Sequence, residues 1–179
     1  MVLIGPPGSG KTTQAKYFSR KHRVPSFNMA DLLKREIGRK SDLGKRLKVA
    51  LGHGEFAGDE LANELVKYRL ERPDCQNGFI LDGYPRTSGQ AQFLDRLLEQ
   101  RGLPRPAVVH LETPDRLALE RMRTRGRADD REDVMERRLS DYHQERDAVL
   151  EWYAKGSLHR VDGAKSPAEV TRAIEQALR

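Results

Sequence analysis

Gly5-Pro6-Pro7-Gly8-Ser9-Gly10-Lys11-Thr12 decides how this chain is read. The stretch fits G-x-x-x-x-G-K-[ST], the phosphate-binding loop. Glycines at 5, 8 and 10 allow backbone conformations that a Cβ forbids, so successive N–H groups can turn onto phosphate oxygens. Lys11 would bring a point charge to the β- and γ-phosphates, and the Thr12 hydroxyl falls where a Mg²⁺ ligand is expected. A helix beginning near Gly10 adds its positive dipole end. The context supports the match. The apolar run 1–4 reads as a short buried parallel strand and 13–22 as a helix, which is the strand, loop and helix order the motif requires. The strand has little room, so either it is short or the natural start lies upstream. A nucleoside triphosphate is the implied ligand.

Working outward, four more apolar runs can be strands: 24–27, 78–81, 107–111 and 158–161. Helix-periodic charged segments separate them, at 30–38, 42–51, 59–72, 88–101, 114–123, 131–145, 147–155 and 167–178. This alternation predicts an α/β fold, a five-stranded parallel sheet flanked by helices. Asp42, Asp59, Thr113 and Ser166 read as helix N-caps and Gly102 as a helix stop. Some fifty residues separate the second and third strands, so residues 28–57 are expected to project from the sheet edge. A shorter irregular segment, 124–130, interrupts the helices on the other side. Projections near strand carboxyl ends are where ligands of open α/β sheets are held and covered.

The totals restrict the function. The 179 residues suit a single domain. Of these, 37% are hydrophobic and 34% charged, so a charged surface surrounds a compact centre. A net charge of +6 suits either nucleic acid or arginines gathered around small polyphosphates. Aromatic content of 6% offers few stacking platforms for single-stranded nucleic acid. The one cysteine, Cys75, excludes an internal disulfide and a cysteine-cluster zinc site, which suits a reducing cytoplasm. No apolar run approaches the roughly 20 residues of a membrane span, and no signal-peptide pattern is seen.

Two further stretches carry chemistry. Gly78-Phe79-Ile80-Leu81-Asp82-Gly83-Tyr84-Pro85-Arg86 is an apolar strand ending in an acid. Asp82 falls where a Walker-B acid would hold Mg²⁺, directly or through water; capping of the following turn is the alternative. Arg86 follows a rigid Tyr-Pro turn, suited to bidentate phosphate binding, with a surface ion pair as its alternative. Arg121, Arg125, Arg127 and Arg138 form the second group. Arg121 and Arg125 share a helix face, whereas Arg123 points elsewhere. An anionic ligand explains such a cluster better than mutual packing does. No catalytic base is apparent, and His53, His110, His143 and His159 read as ordinary residues. A hydroxyl acceptor needs a base, but a phosphate acceptor arrives ionised and needs positioning and charge neutralisation.

Together these residues resemble the adenylate kinase family, within the nucleoside monophosphate kinases. The motifs are GPPGSGKTTQ at 5–14, DLL at 31–33, GDEL at 58–61, NGFILDGYPRT at 77–87 with Gln90 beyond it, and GRADD at 126–130. Arg138-Leu139 and Val161-Asp162-Gly163 complete the set. The resemblance implies a parallel core with a monophosphate-binding projection at about 28–57 and a short lid at about 124–130. It implies reversible Mg²⁺-dependent phosphoryl transfer from ATP to AMP, giving two ADP. ATP would meet Gly8, Ser9, Gly10, Lys11, Thr12, Thr13, Arg121, Arg125, Gly163 and Lys165. AMP would meet Met29, Lys34, Ala57, Gly78, Arg86, Gln90, Arg127 and Arg138, with Thr12 and Asp82 on the Mg²⁺ side. Lys11, Arg86, Arg121, Arg125, Arg127 and Arg138 would do the catalytic work. No structural zinc is implied, and the expected form is a cytoplasmic monomer acting on small nucleotides. The chain departs from the family where Met29 replaces a threonine and Lys34-Arg35 stand where one arginine is usual. A UMP/CMP kinase is therefore the nearest alternative, and a phosphate-loop ATPase or nucleic-acid-binding module a more distant one.

Overall fold

The computed structural model describes residues 1–52, 58–126 and 130–179, with residues 51 and 52 described for their backbone alone. Five parallel strands, β1 (Val2–Ile4), β2 (Ser26–Asn28), β3 (Ile80–Asp82), β4 (Val108–Glu112) and β5 (Leu158–Asp162), form one sheet in the order β2-β3-β1-β4-β5. The helices are α1 (Lys11–His22), α2 (Met29–Gly38), α3 (Asp42–Gly52), α4 (Asp59–Leu70), α5 (Ser88–Glu99), α6 (Asp115–Arg125), α7 (Glu132–Tyr153) and α8 (Pro167–Ala177). All five expected strands are present, displaced by up to two residues toward the chain's end. A short 3₁₀ turn, Pro73–Cys75, was not anticipated.

Alternation along the strands divides the core. Val2, Ile4, Phe27, Leu81 and Val108 join buried residues of α4, α5 and α7 in one cluster. Leu3, Ile80, Val109, Leu111 and Val161 pack with α1 and α8 in another. The central strands β1, β3 and β4 are buried on both faces and so read as largely apolar runs, whereas the edge strands β2 and β5 are only partly buried and carry polar residues. After β1 the chain runs to β2 and β3 on one side, then crosses to β4 and β5 on the other. The carboxyl end of β1 is thus a switch point, where adjoining crossovers diverge and leave a crevice.

Local signals explain most helix ends, with corrections. Asp42 and Asp59 are first helical residues rather than N-caps. The Ser41 hydroxyl accepts from Gly44 N at 2.9 Å ahead of α3, and Gly58 precedes α4. Pro114, not Thr113, holds the N-cap position of α6, and the Thr113 hydroxyl is buried without a hydrogen-bond partner among the described residues. Ser166 does cap α8, within a reciprocal capping box with Glu169. Gly102, at φ 66°, closes the turn after α5. The helices expected at 131–145 and 147–155 are one, α7. No glycine or proline interrupts it, and Arg146 lies 5.8 Å over the Tyr142 ring while its Nε donates to Asp147 at 2.9 Å.

Candidate active site

A cleft of about 970 Å³ opens at the carboxyl ends of β1 and β3. Its floor is the loop between β1 and α1. Gly10 caps α1 at φ 91° without a side-chain cap, and the first turn of α1 lines the cleft, so the helix N-terminus lies at its floor. Gly8 is held at φ 84°, and a Cβ there would lie 2.3 Å from the Ala118 carbonyl oxygen. The loop thus sits directly on the buried Ala118 of α6, closer than any side chain would permit.

Within that loop the Lys11 ammonium donates to the carbonyls of Gly5 at 2.7 Å and Pro6 at 2.8 Å, with Ser9 Oγ at 3.4 Å. Burial pulls its pKa down to about 8; Asp82 opposes this shift, and Arg86 and Arg125 add to it. The Thr12 hydroxyl donates to Asp82 Oδ2 at 2.6 Å, and the Asn28 amide donates to the same oxygen at 3.0 Å. Asn28 also caps α2, its Oδ1 accepting from Ala30 N at 3.0 Å. One residue thereby ties the end of β2, the start of α2 and the acid of β3 together. A helix-capping Asn at the end of a strand is a legible sequence signal, but its second bond, to Asp82, depends on the β2–β3 register.

The arginines enter from three elements. Arg86 stands on the turn after β3, where Tyr84–Pro85 is a cis peptide, and its Nε is 3.4 Å from the Gly83 carbonyl. Burial lowers its pKa, and Glu145, Asp141 and Asp82 act in the opposite sense. Arg121 donates to the carbonyls of Gly163 at 2.7 Å, Ala164 at 3.1 Å and Lys165 at 3.3 Å, so α6 is fastened to the turn after β5. Arg125 makes a fork with Asp130, at 3.0 and 2.5 Å, and Arg138 reaches the same carboxylate at 3.6 Å. The Asp130 side chain is 1% exposed and is the shared counter-ion of the two. Two of the clustered guanidiniums, those of Arg125 and Arg138, thus have a protein counter-charge. Arg123 indeed points away, pairing with Glu132 on α7.

The cleft brings together most of the residues singled out from the sequence: Gly8, Ser9, Gly10, Lys11, Thr12, Thr13, Met29, Lys34, Asp82, Arg86, Arg121, Arg125, Arg138, Gly163 and Lys165 all line it. Arg35, one position after Lys34, does not. Gln90 and Gly78 do not line it either. Gln90 is 6% exposed, its amide donating to Asp59 and accepting from the Arg86 N–H. Gly78, at φ 115°, turns the chain into β3. Ala57, Arg127 and His53 lie outside the described residues.

Sequence reasoning missed the acids of this cleft. Asp141 and Glu145, one turn apart on α7, line it beside Arg86. Burial raises the Glu145 pKa, while the Arg86 charge holds it down. Both fell in a helix that reads as a uniformly charged surface, and only the packing of α7 over the sheet reveals which side faces inward. Of the histidines, His110 is buried against the Tyr142 hydroxyl at 2.8 Å and pushed down to about 4 by burial. His143 pairs with Asp115 at 2.8 Å. No histidine lines the cleft among the described residues.

As for a metal, the Thr12 hydroxyl and the Asp82 carboxylate are a hard oxygen pair next to Lys11. Mg²⁺ bound with nucleotide phosphates asks for one or two such protein oxygens. These residues fit that ion. No helix among the described residues is long and apolar enough to cross a membrane.

Comparison with known proteins agrees with this geometry. A family model described as adenylate kinase matches residues 3–158. Proteins named adenylate kinase from Brucella ovis, Brucella canis and Brucella suis are each 37% identical over 189 residues, spanning 99% of this chain and 97% of their own. A phosphate loop, a strand-end acid and five arginines on one cleft, in a chain matched over nearly its whole length, place it in the adenylate kinase family, the phosphotransferases that act on nucleoside monophosphates.

Proposed function

We propose that the chain transfers the γ-phosphoryl group of ATP to AMP, reversibly, giving two ADP, with the residue roles that follow. The observation that carries the assignment is the convergence of Lys11, the Thr12–Asp82 pair, Arg86, Arg121, Arg125 and Arg138 on one cleft. The loop amides and the α1 N-terminus receive the ATP phosphates, and Lys11 leaves its carbonyl partners to follow the transferring group. Arg121 and Arg125 serve the ATP side, beside Gly163 and Lys165. Arg86 takes the AMP phosphate, with Lys34 as a second cation, and Arg127 and Arg138 reach both substrates. Thr12 and Asp82 hold Mg²⁺, which neutralises phosphate charge when bound. The acceptor is already an anion, so positioning and electrostatics are the protein's whole task. Asp130, Asp141 and Glu145 keep the guanidiniums compensated until phosphate replaces them.

On this reading residues 1–179 are one kinase domain, with 28–57 its monophosphate-binding projection and 124–130 its short lid. Met29 is buried at the start of α2 and lines the cleft, offering apolar contact to the acceptor base beside Ala57, Gly78 and Gln90. The enzyme acts as a cytoplasmic monomer on small nucleotides, without nucleic acid or structural zinc; its single cysteine and sparse aromatics support this. A UMP/CMP kinase is not favoured, since the relatives carry the name adenylate kinase. A coupled assay with ATP and a panel of monophosphates tests the assignment. AMP should exceed UMP and CMP by at least about tenfold in kcat/KM. Equal use of UMP or CMP overturns the acceptor, and ATP hydrolysis indifferent to every monophosphate overturns the kinase reading.

A further inference from the structure

Asp59, the first residue of α4, shares its carboxylate between two residues at the start of α5. Oδ2 accepts the Thr87 hydroxyl at 2.6 Å, and Oδ1 accepts the Gln90 side-chain amide at 2.8 Å. The other end of that amide, Oε1, accepts the Arg86 backbone N–H at 2.8 Å. A carboxylate only accepts and a backbone N–H only donates, so the two ends of the Gln90 amide cannot be exchanged. Turned over, Oε1 would face a carboxylate and Nε2 would face an N–H, replacing two hydrogen bonds with two repulsions. The surroundings are built for this contact. Thr87 Oγ1 also accepts from Gln90 N at 3.1 Å, and the N-terminus of α5 favours the negative charge. A Cβ on Gly89 would lie 3.0 Å from Asp59 Oδ2, so glycine leaves the carboxylate its seat. One turn further along α4, Asn63 accepts the Tyr84 hydroxyl at 2.6 Å, fastening the same turn a second time.

The amide carries two hydrogens and an oxygen with two lone pairs, so each end keeps one bonding position after these contacts. It therefore offers a donor and an acceptor in fixed order. Purines differ in that order: adenine presents an amino donor at C6 beside an acceptor at N1, and hypoxanthine presents a carbonyl acceptor at C6 beside an N1–H donor. A glutamine free to rotate by a half-turn would serve both equally. We infer that Asp59 is a positioning residue that sets the acceptor's base class, selecting a 6-aminopurine over a 6-oxopurine monophosphate by locking the polarity of Gln90. The inference rests on the reading above, in which Gln90 meets the acceptor base. Asp59 does not line the cleft, and its hydrogen bonds reach toward it through Gln90 and Thr87.

The test compares kcat/KM for AMP and for IMP, which carries the opposite donor and acceptor order, in wild type and Asp59→Ala. Wild type should prefer AMP by well over about tenfold. Asp59→Ala should shrink that ratio by about tenfold or more while KM for ATP holds, and Asp59→Glu, which keeps an acceptor, should restore it. Should the alanine variant not fold, Asp59→Asn serves instead. Its own amide can turn to meet either end of Gln90, so the ratio should again fall. Equal losses for AMP and IMP would mean a purely structural clasp between α4 and α5, and no change for either would mean no lock; each overturns the inference while the proposed function stands. A wild type that uses neither monophosphate overturns the proposed function and the lock together.

Discussion

Nucleotide binding should take up a proton at Lys11, and the amount follows from its surroundings. In the ligand-free protein, burial holds its pKa near 8 rather than 10.5, and the nearby Arg86 and Arg125 add to the effect. A triphosphate placed against the ammonium supplies the missing counter-charge and returns the pKa toward or above its ordinary value. Uptake per ATP is then the fraction of Lys11 neutral beforehand: about a tenth near pH 7, about half near pH 8 and about nine-tenths near pH 9. Titration calorimetry in buffers of different ionisation enthalpy reads this directly. Lys11→Arg keeps its charge throughout and supplies the baseline for all other protons. The same shift has a stability consequence of opposite sense to a salt bridge. The folded state binds the Lys11 proton less well than the unfolded chain does. This destabilisation is fully present below about pH 8 and disappears as pH rises toward 10.5. A drop of that size corresponds to about 3 kcal/mol, or nearer 2 after allowing for the side chain's part exposure. Ligand-free Lys11→Met should thus be more stable than wild type at neutral pH, by chemical denaturation, and lose that advantage in alkali. Proton uptake that matches Lys11→Arg at every pH would refute the argument.

Lys34→Ala should raise KM for AMP severalfold with kcat less affected, and Arg35→Ala should change it little, because Lys34 lines the cleft and Arg35 does not; steady-state kinetics showing the reverse moves the role by one residue. Gly8→Ala should cost at least about 2 kcal/mol in a denaturant melt, since a side chain at φ 84° would also press into the Ala118 carbonyl at 2.3 Å. Near-wild-type stability there would mean that α6 yields freely.

What the sequence determined by itself is local chemistry in a required order. An apolar run, a glycine-rich loop ending in Lys11-Thr12 and a following helix set the phosphate site, because loop conformation and helix dipole depend on neighbours in the chain. Asp82 at a strand end and Arg86 beyond a Tyr-Pro turn were legible for the same reason. The central strands were legible because strands buried on both faces are largely apolar, and the partly exposed edge strands β2 and β5 gave a weaker signal. Tertiary structure alone decided the partners. Asp130 becomes the buried counter-ion of Arg125 and Arg138, which approach from different helices. Asp141 and Glu145 become cleft acids because α7 runs unbroken and packs with α5, orienting a helix whose charge pattern shows no inward face. That Lys34 lines the cleft and Arg35 does not follows from how α2 faces it. Gln90, recognisable from its motif, is committed to Asp59 and the Arg86 N–H by a contact spanning thirty-one positions. Periodicity and motif spacing report the faces of single elements; which faces meet is set by packing across the sheet, and there the partners of these charges were fixed.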